Sequence, residues 1–359
     1  MTVLMLFLGL AGLVTGAELL VRGASRLGSA IGISPLVIGL TIVAFGTSSP
    51  EMAVSVRAAL TNHPDIVIGT NVGSTIFNIL FILGICALVA PLVISQQLVW
   101  YEVPIMIGAH FLLLAMSLDG KITRLNAFIL FVGIVGYTII AIVKGRRESK
   151  AIADEYQEAF PVSKNGFNAI NIGKQCALVA LGLIFCVFGA GWLLDSAVII
   201  ARALGVSELV IGMTIVAAGT SLPEVATSVV ATIRGQRDIA VGNVVGSNIF
   251  NILGIVGVAG LIAPDGIAVA PSVLRFDLPV AIATCVACLP VFFTGHKISR
   301  WEGIVFLGYY AAYTSYLIMA AKDHNSVPIF SMIMMWFVIP LTLLTAAIVI
   351  YRTSRKHRF

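Results

Sequence analysis

The chain has 359 residues, of which 59% are hydrophobic and only 11% charged, with a formal net charge of +5. A soluble domain carries about 25% charged residues, so this sequence cannot clothe itself in polar surface, and a soluble globular protein is excluded. The apolar runs suit helices crossing a hydrocarbon core of about 30 Å, whereas the alternating strands of a β-barrel do not occur.

In chain order, the apolar pattern predicts eleven spans: 2–21, 34–60, 66–90, 100–118, 124–144, 174–202, 207–233, 239–263, 276–294, 300–320 and 330–351. The first run has no basic stretch before it and reads as a retained helix, not a cleaved signal. The one sizeable polar stretch, 146–173, is too short for a folded domain and reads as a cytoplasmic linker. Placing the N-terminus outside puts sixteen of the 22 Lys and Arg on the cytoplasmic side, which orients the chain N-out and C-in. The basic excess therefore belongs to topology and lipid contact, not to nucleic acid. All five cysteines lie in apolar segments. Cys285 and Cys288 form a CxxC without a second pair or a nearby His, so they read as small apolar fillers.

The sequence matches itself at a shift of 173. Residues 39–84 and 212–257 are identical at 27 of 46 positions. The likeness continues weakly outside that core. Glu102-Val-Pro104 resembles Asp277-Leu-Pro279, "KITR" at 121–124 resembles "KISR" at 297–300, and "YT" recurs at 137–138 and 313–314. The repeat unit is five spans. An odd number makes the second copy enter the membrane from the opposite side, as in secondary transporters built on inverted repeats. The predicted organisation is a first repeat over 1–145, the linker at 146–173, an inverted second repeat over 174–321, and an extra span with a basic cytoplasmic tail over 322–359. The fold class is an all-α integral membrane protein with a ten-helix core plus one helix.

Polar residues are kept between the copies along with the small ones, and packing alone does not require that. They include Thr47, Ser48, Glu51, Ser55, Ser74 and Asn78, recurring as Thr220, Ser221, Glu224, Ser228, Ser247 and Asn251. Glu51 and Glu224 lie deep in their spans, where an ionisable group needs a partner or a wet cavity. Arg57 is the one basic residue near Glu51, and its counterpart is Val230, so a fixed ion pair in both halves is not expected. Pro50 and Pro223 lack an N–H and break each helix. Backbone oxygens around Ala44, Gly46 and Thr47, and around Ala217, Gly219 and Thr220, then become available as ligands. Ser74 and Asn78 are four apart and share a face, as do Ser247 and Asn251. Gly69 and Gly73, like Gly242 and Gly246, form GxxxG patterns for close helix approach.

Every donor in this set is an oxygen, and no His or Cys belongs to it, which argues against zinc, copper or nickel. Calcium accepts roughly six to eight oxygens in flexible geometry, whereas magnesium resists dehydration. Two carboxylates neutralise one divalent cation, so the predicted substrate is calcium. Emptied, the site would hold two uncompensated charges in low dielectric, and the carrier should switch slowly in that state. Alternating occupancy by calcium, or by sodium or protons, then yields exchange.

The twin "GTSxPE" and "GSxxxN" motifs resemble the alpha-repeats of the cation/calcium exchanger superfamily, nearest the bacterial inner-membrane sodium/calcium exchanger-like proteins. The resemblance covers about residues 1–320. It implies alternating access by sliding of the first and sixth helices. It also implies Glu51 and Glu224 as central calcium ligands, Thr47 and Thr220 as carbonyl donors, and Ser48, Ser221, Ala44 and Ala217 at sodium sites. Ser74, Asn78, Ser247 and Asn251 complete the set. The chain departs from the family pattern at Thr75, where the second copy has Asn248, and in the extra span. Asn78 and Asn251 are both amides, as in proton-coupled relatives, so a proton-driven calcium antiporter is the alternative to a sodium-driven one. A channel and an intramembrane enzyme are the remaining classes. The inverted halves disfavour the first, and no HExxH or nucleophile-histidine pair supports the second. No cofactor is expected.

Overall fold

The computed structural model describes residues 1–31, 33–61, 65–145, 169–205, 217–293 and 296–321. The expected span at 330–351 with its basic tail, the first part of the span at 207–233, and most of the expected linker lie outside them. Among the described residues, eight helices are long and apolar enough to cross a membrane, or nine when one bent pair counts as a span.

The helices in order are α1 (Thr2–Ile31), the bent pair α2 (Pro35–Thr47) and α3 (Ser49–Leu60), α4 (Ile66–Val89), α5 (Leu98–Ser117) and α6 (Arg124–Gly145). There follow α7 (Ala169–Ala203), α8 (Leu222–Ile233), α9 (Arg237–Ile262), α10 (Val273–Phe292) and α11 (Arg300–Ala321). Each falls on an expected span. Two are longer than the apolar pattern foretold. α7 starts at Ala169, inside the expected linker, and α1 runs ten residues past the expected end at 21. Two of the three charges of α1 are matched. Glu18 pairs with Arg22 one turn on, and Arg234 at the end of α8 adds contacts to both carboxylate oxygens, Nη2 at 2.6 Å and Nε at 3.0 Å.

α4 and α9 are the centre of the molecule, 72% and 83% buried along their apolar windows, whereas α11 is 11% buried and faces outward. An apolar residue facing lipid loses nothing, so the exposed Phe, Ile and Leu of α1, α6 and α11 are in place. α1 and α7 cross closely. A Cβ at Gly16 would sit 2.5 Å from the Cys186 nitrogen, and one at Gly182 would sit 2.5 Å from the Leu20 nitrogen.

α9 lies against α2 through the predicted GxxxG. A Cβ at Gly242 would meet the Leu36 carbonyl at 2.8 Å, and one at Gly246 the Leu40 carbonyl at 2.6 Å. The other pattern differs. No described atom lies within 4 Å of a Cβ built at Gly69 or Gly73. The residues that correspond to Leu36 and Leu40, at 209 and 213, are outside the described segments.

The weakly repeated outer motifs turn out to join the two halves. Lys121–Ile122 pairs antiparallel with Ile267–Ala268, and Lys297–Ile298 pairs antiparallel with Leu92–Val93. These two-residue strands were not foreseen, because a two-residue ladder leaves no period-two pattern to read. The repeated acids and tyrosines also meet. Tyr137 donates to Glu102 at 2.8 Å, and Tyr313 donates to Asp277 at 2.9 Å. Glu102 and Asp277 each end a short π-helical turn, Leu98–Glu102 and Val273–Asp277.

Candidate ion site

Both proline-bearing motifs break their helices in the same way. α2 stops at Thr47 and α3 starts at Ser49, with a 47° bend between them. Ser48 at the break has φ −80° and ψ 9°, and Ser221 in the second half has φ −88° and ψ 9°. Pro50 and Pro223 occupy the second position of α3 and α8, where a missing N–H costs no helical bond. The next residue in each is the glutamate. Glu51 and Glu224 thus stand in the first turn of a new helix, where the N-terminal N–H groups favour negative charge. Each is 1% exposed.

The freed-carbonyl expectation needs one correction. The Ala44 carbonyl is not vacated, because it accepts the Ser48 N–H at 3.0 Å. A carbonyl oxygen has two lone pairs, so this bond leaves one acceptor site.

The motifs interlock across the halves. Ser221 donates to Glu51 Oε1 at 2.8 Å, and Ser48 donates to Glu224 Oε1 at 2.9 Å. Ser221 has one hydroxyl proton and gives it to Glu51, so the 3.2 Å contact between Ser74 and Ser221 is a donation by Ser74. Asn78 donates its amide to Asn248 Oδ1 at 3.0 Å. Thr47 donates to Asn243 Oδ1 at 3.1 Å. Asn78 and Asn251 each sit second in a π-helical segment, Phe77–Leu83 and Phe250–Ile255. Such segments recur at functional sites, and nothing in the sequence announced them.

Among the buried oxygens left without a hydrogen-bond partner are Glu51 Oε2, Glu224 Oε2, Asn78 Oδ1, Asn251 Oδ1, Ser247 Oγ and Thr220 Oγ1. Buried polar atoms are almost always satisfied. All six come from the repeated polar set, and all are oxygens, the donor type that hard cations take. Of the other expected residues, Thr47, Ser48, Ser74 and Ser221 are hydrogen-bonded within the network, Ala44 holds the break, and Ala217 opens the turn before Thr220. Arg57 is exposed and makes no ion pair with Glu51. Among the described residues no group of three His, Cys, Asp or Glu side chains could hold a metal. Asn243 and Asn248 belong to the network but were missed, because neither is identical to its counterpart, Thr70 or Thr75.

Residues 1–143 and 174–319 match the sequence profile described as "Sodium/calcium exchanger protein". The chain is 36% identical to the inner membrane protein YrbG of Escherichia coli K12, over 73% of this chain and 80% of that one. It is 33% identical to the sodium/calcium exchanger MaX1 of Methanosarcina acetivorans, over 86% of this chain and 96% of the relative. Its backbone matches the sodium-calcium exchanger NCX_Mj, from a crystal soaked with 10 mM Na+ and zero Ca2+, with a TM-score of 0.74 and 29% identity. That match covers 89% of this chain and 98% of the other.

Proposed function

The chain belongs to the sodium/calcium exchanger family, a family of multi-pass membrane transporters and not of enzymes, and from that premise we propose that it exchanges calcium for sodium by alternating access. The central site is all-oxygen and built on Glu51 and Glu224. The observation that carries this reading is the shell of six partnerless buried oxygens, two of them carboxylate. Two negative charges balance one calcium, and the amide, hydroxyl and backbone oxygens add neutral donors without excess charge.

In this reading Glu51, Glu224, Asn78, Asn251, Thr47 and Thr220 hold calcium. Ser48, Ser221, Ser74, Ser247, Ala44 and Ala217 complete the cation sites. Residues 1–145 and 174–321 are inverted five-helix repeats, 146–173 is a cytoplasmic linker, and 322–359 adds one span and a basic tail. The N-terminus lies outside and the C-terminus inside, in a plasma membrane. The symmetric strand pairs between halves and the reciprocal serine-glutamate bonds support the two-repeat reading. The name of MaX1, a sodium/calcium exchanger similar over most of both chains, supports sodium as the driving ion.

The paired amides Asn78 and Asn251 favour a second reading, a proton-driven calcium antiporter, because the shell lacks a third carboxylate for extra monovalent charge. Calcium uptake into proteoliposomes under an imposed sodium gradient, and separately under an imposed pH gradient, separates the two. Uptake driven only by the pH gradient overturns sodium coupling, and flux without coupling to either overturns exchange.

A further inference from the structure

The two halves of the site are not held alike, and the difference traces to one residue. In α9, Asn243 is fully buried and sits between the halves. Its Oδ1 accepts the Thr47 hydroxyl at 3.1 Å, and its Nδ2 donates to Ser228 at 3.0 Å. The Ser228 hydroxyl passes its own proton to the Ala240 carbonyl at 3.4 Å. The chain of donors is complete: it starts at Thr47, the last residue before the break in α2, and ends on the Ala240 carbonyl. The Thr47 hydroxyl also lies 3.4 Å from the Ala44 carbonyl, but its single proton goes to the nearer oxygen.

Among the described residues the first half has no such clamp. Thr70 stands where Asn243 stands in the second copy, and the asparagine is one place later, at Asn71. One residue turns a side chain by about 100° around a helix. Asn71 still reaches the matching serine, donating to Ser55 at 3.0 Å, but its other donation goes to its own helix at the Val67 carbonyl. Its Oδ1 is buried and without a partner, and so is the hydroxyl of Thr220, the counterpart of Thr47. Asn71 and Thr220, the two groups that could have made the second clamp, are not bonded to each other.

We propose that Asn243 is a positioning residue for the ion site: by holding Thr47 it fixes the backbone at the first helix break, so that the first-half wall is preorganised while the wall at Thr220 adapts to the ion. A fixed ligand binds without an ordering cost. Asn243 therefore sets ion affinity without touching the ion. Serving only to satisfy Ser228 would be a purely structural role, and Asn71 offers the control, because it makes the same bond to Ser55 and touches no break residue.

The inference rests on the cation-exchange reading above. The test is calcium uptake into proteoliposomes, titrated for the unmodified protein, Asn243→Leu, Thr47→Val, the double variant and Asn71→Leu. Losing one hydrogen bond of about 1 kcal/mol raises the half-saturating calcium concentration by roughly three- to tenfold. That rise is expected for Asn243→Leu and for Thr47→Val, and in Asn243→Leu the maximal rate should change little. The double variant should be no worse than the weaker single, because both remove one contact. Asn71→Leu should leave the half-saturating concentration in place.

Equal shifts in Asn243→Leu and Asn71→Leu, or additive losses in the double variant, would overturn the positioning role while leaving the exchanger intact. If Asn243→Leu does not fold, Thr47→Val carries the test alone, and an unshifted titration there has the same consequence. Absence of calcium uptake by the unmodified protein under either gradient overturns the exchange reading, and this inference with it.

Discussion

Ser221 donates a 2.8 Å hydrogen bond to Glu51, and so fastens the second helix break to the acid of the first. The reverse bond, Ser48 to Glu224 at 2.9 Å, closes the exchange. Each carboxylate is thus oriented by the half it does not belong to. Its second oxygen has no hydrogen-bond partner. Neither half could form this pair of bonds alone.

Neutralising either acid should stop transport. Glu51→Gln and Glu224→Gln keep the shape of the side chain but leave a single negative charge against a divalent cation. Calcium uptake is expected to fall to the background of protein-free vesicles, with the melting temperature in detergent unchanged or raised. A rise fits, because a buried carboxylate without its cation is costly and an amide is not. Normal uptake in either variant would refute the site.

Removing a cross-half donor should weaken binding without abolishing it. Ser221→Ala deprives Glu51 Oε1 of its hydroxyl partner and strands Ser74 as well. A hydrogen bond to a charged group contributes about 1.5–3 kcal/mol, so half-saturation should shift by roughly tenfold or more. Ser48→Ala strands no second serine and should shift it less. Uptake titrations on the two variants give the ranking, and the reverse order would count against the donor chain.

Much of this site was legible because the chain writes it twice. The 173-residue shift brings out eight pairs of identical polar residues, six of them the candidate set, and the two prolines mark where the helices break. Chemistry then limits the ligand to a hard cation. What could not be read were features that break the symmetry or lack a local signature. Asn243 was hidden because its counterpart is Thr70, so a search for identity discards it. The π-helical turns that carry Asn78 and Asn251 have no propensity signal. The two-residue strands show how weak repeats such as "KITR" and "KISR" can mark contact between halves when they carry no ligand.

Asn251→Asp should change the ion dependence more than the calcium site. Asn251 Oδ1 is buried and without a partner. A carboxylate there adds a third negative charge, which suits additional monovalent cations better than one calcium. Sodium is expected to compete with calcium more strongly in the variant. Calcium uptake measured against rising sodium on the same side of the membrane reads this directly, and an unaltered competition curve would place Asn251 outside the shell.

The outer acid-tyrosine pairs should serve stability and not binding. Tyr137→Phe removes the 2.8 Å donation to Glu102, which is 3% exposed and so loses a donor it cannot replace with water. A buried acceptor that loses a donor costs about 1–3 kcal/mol. The melting temperature should drop while half-saturating calcium stays where it was. A shift in calcium affinity would mean that the contact between α5 and α6 reaches the ion site.

The last expectation concerns the glycines, where two substitutions of the same kind should have opposite signs. At Gly246 a Cβ would stand 2.6 Å from the Leu40 carbonyl and 2.7 Å from the Leu40 Cα, and both atoms are backbone that cannot swing aside. Gly246→Ala must push α9 away from α2, and forced repacking of this kind costs about 1–3 kcal/mol. The displacement would also fall on Ser247 and on the Thr47–Asn243 contact, so affinity should drop with stability. At Gly108 in α5 no described atom lies within 4 Å of the added carbon. Gly108→Ala trades a flexible residue for the best helix former and should gain about 0.5–1 kcal/mol. Thermal melts of the two variants in one detergent give the signs, and destabilisation by both would mean that the outward face of α5 is covered by chain or partner where the structure leaves it open.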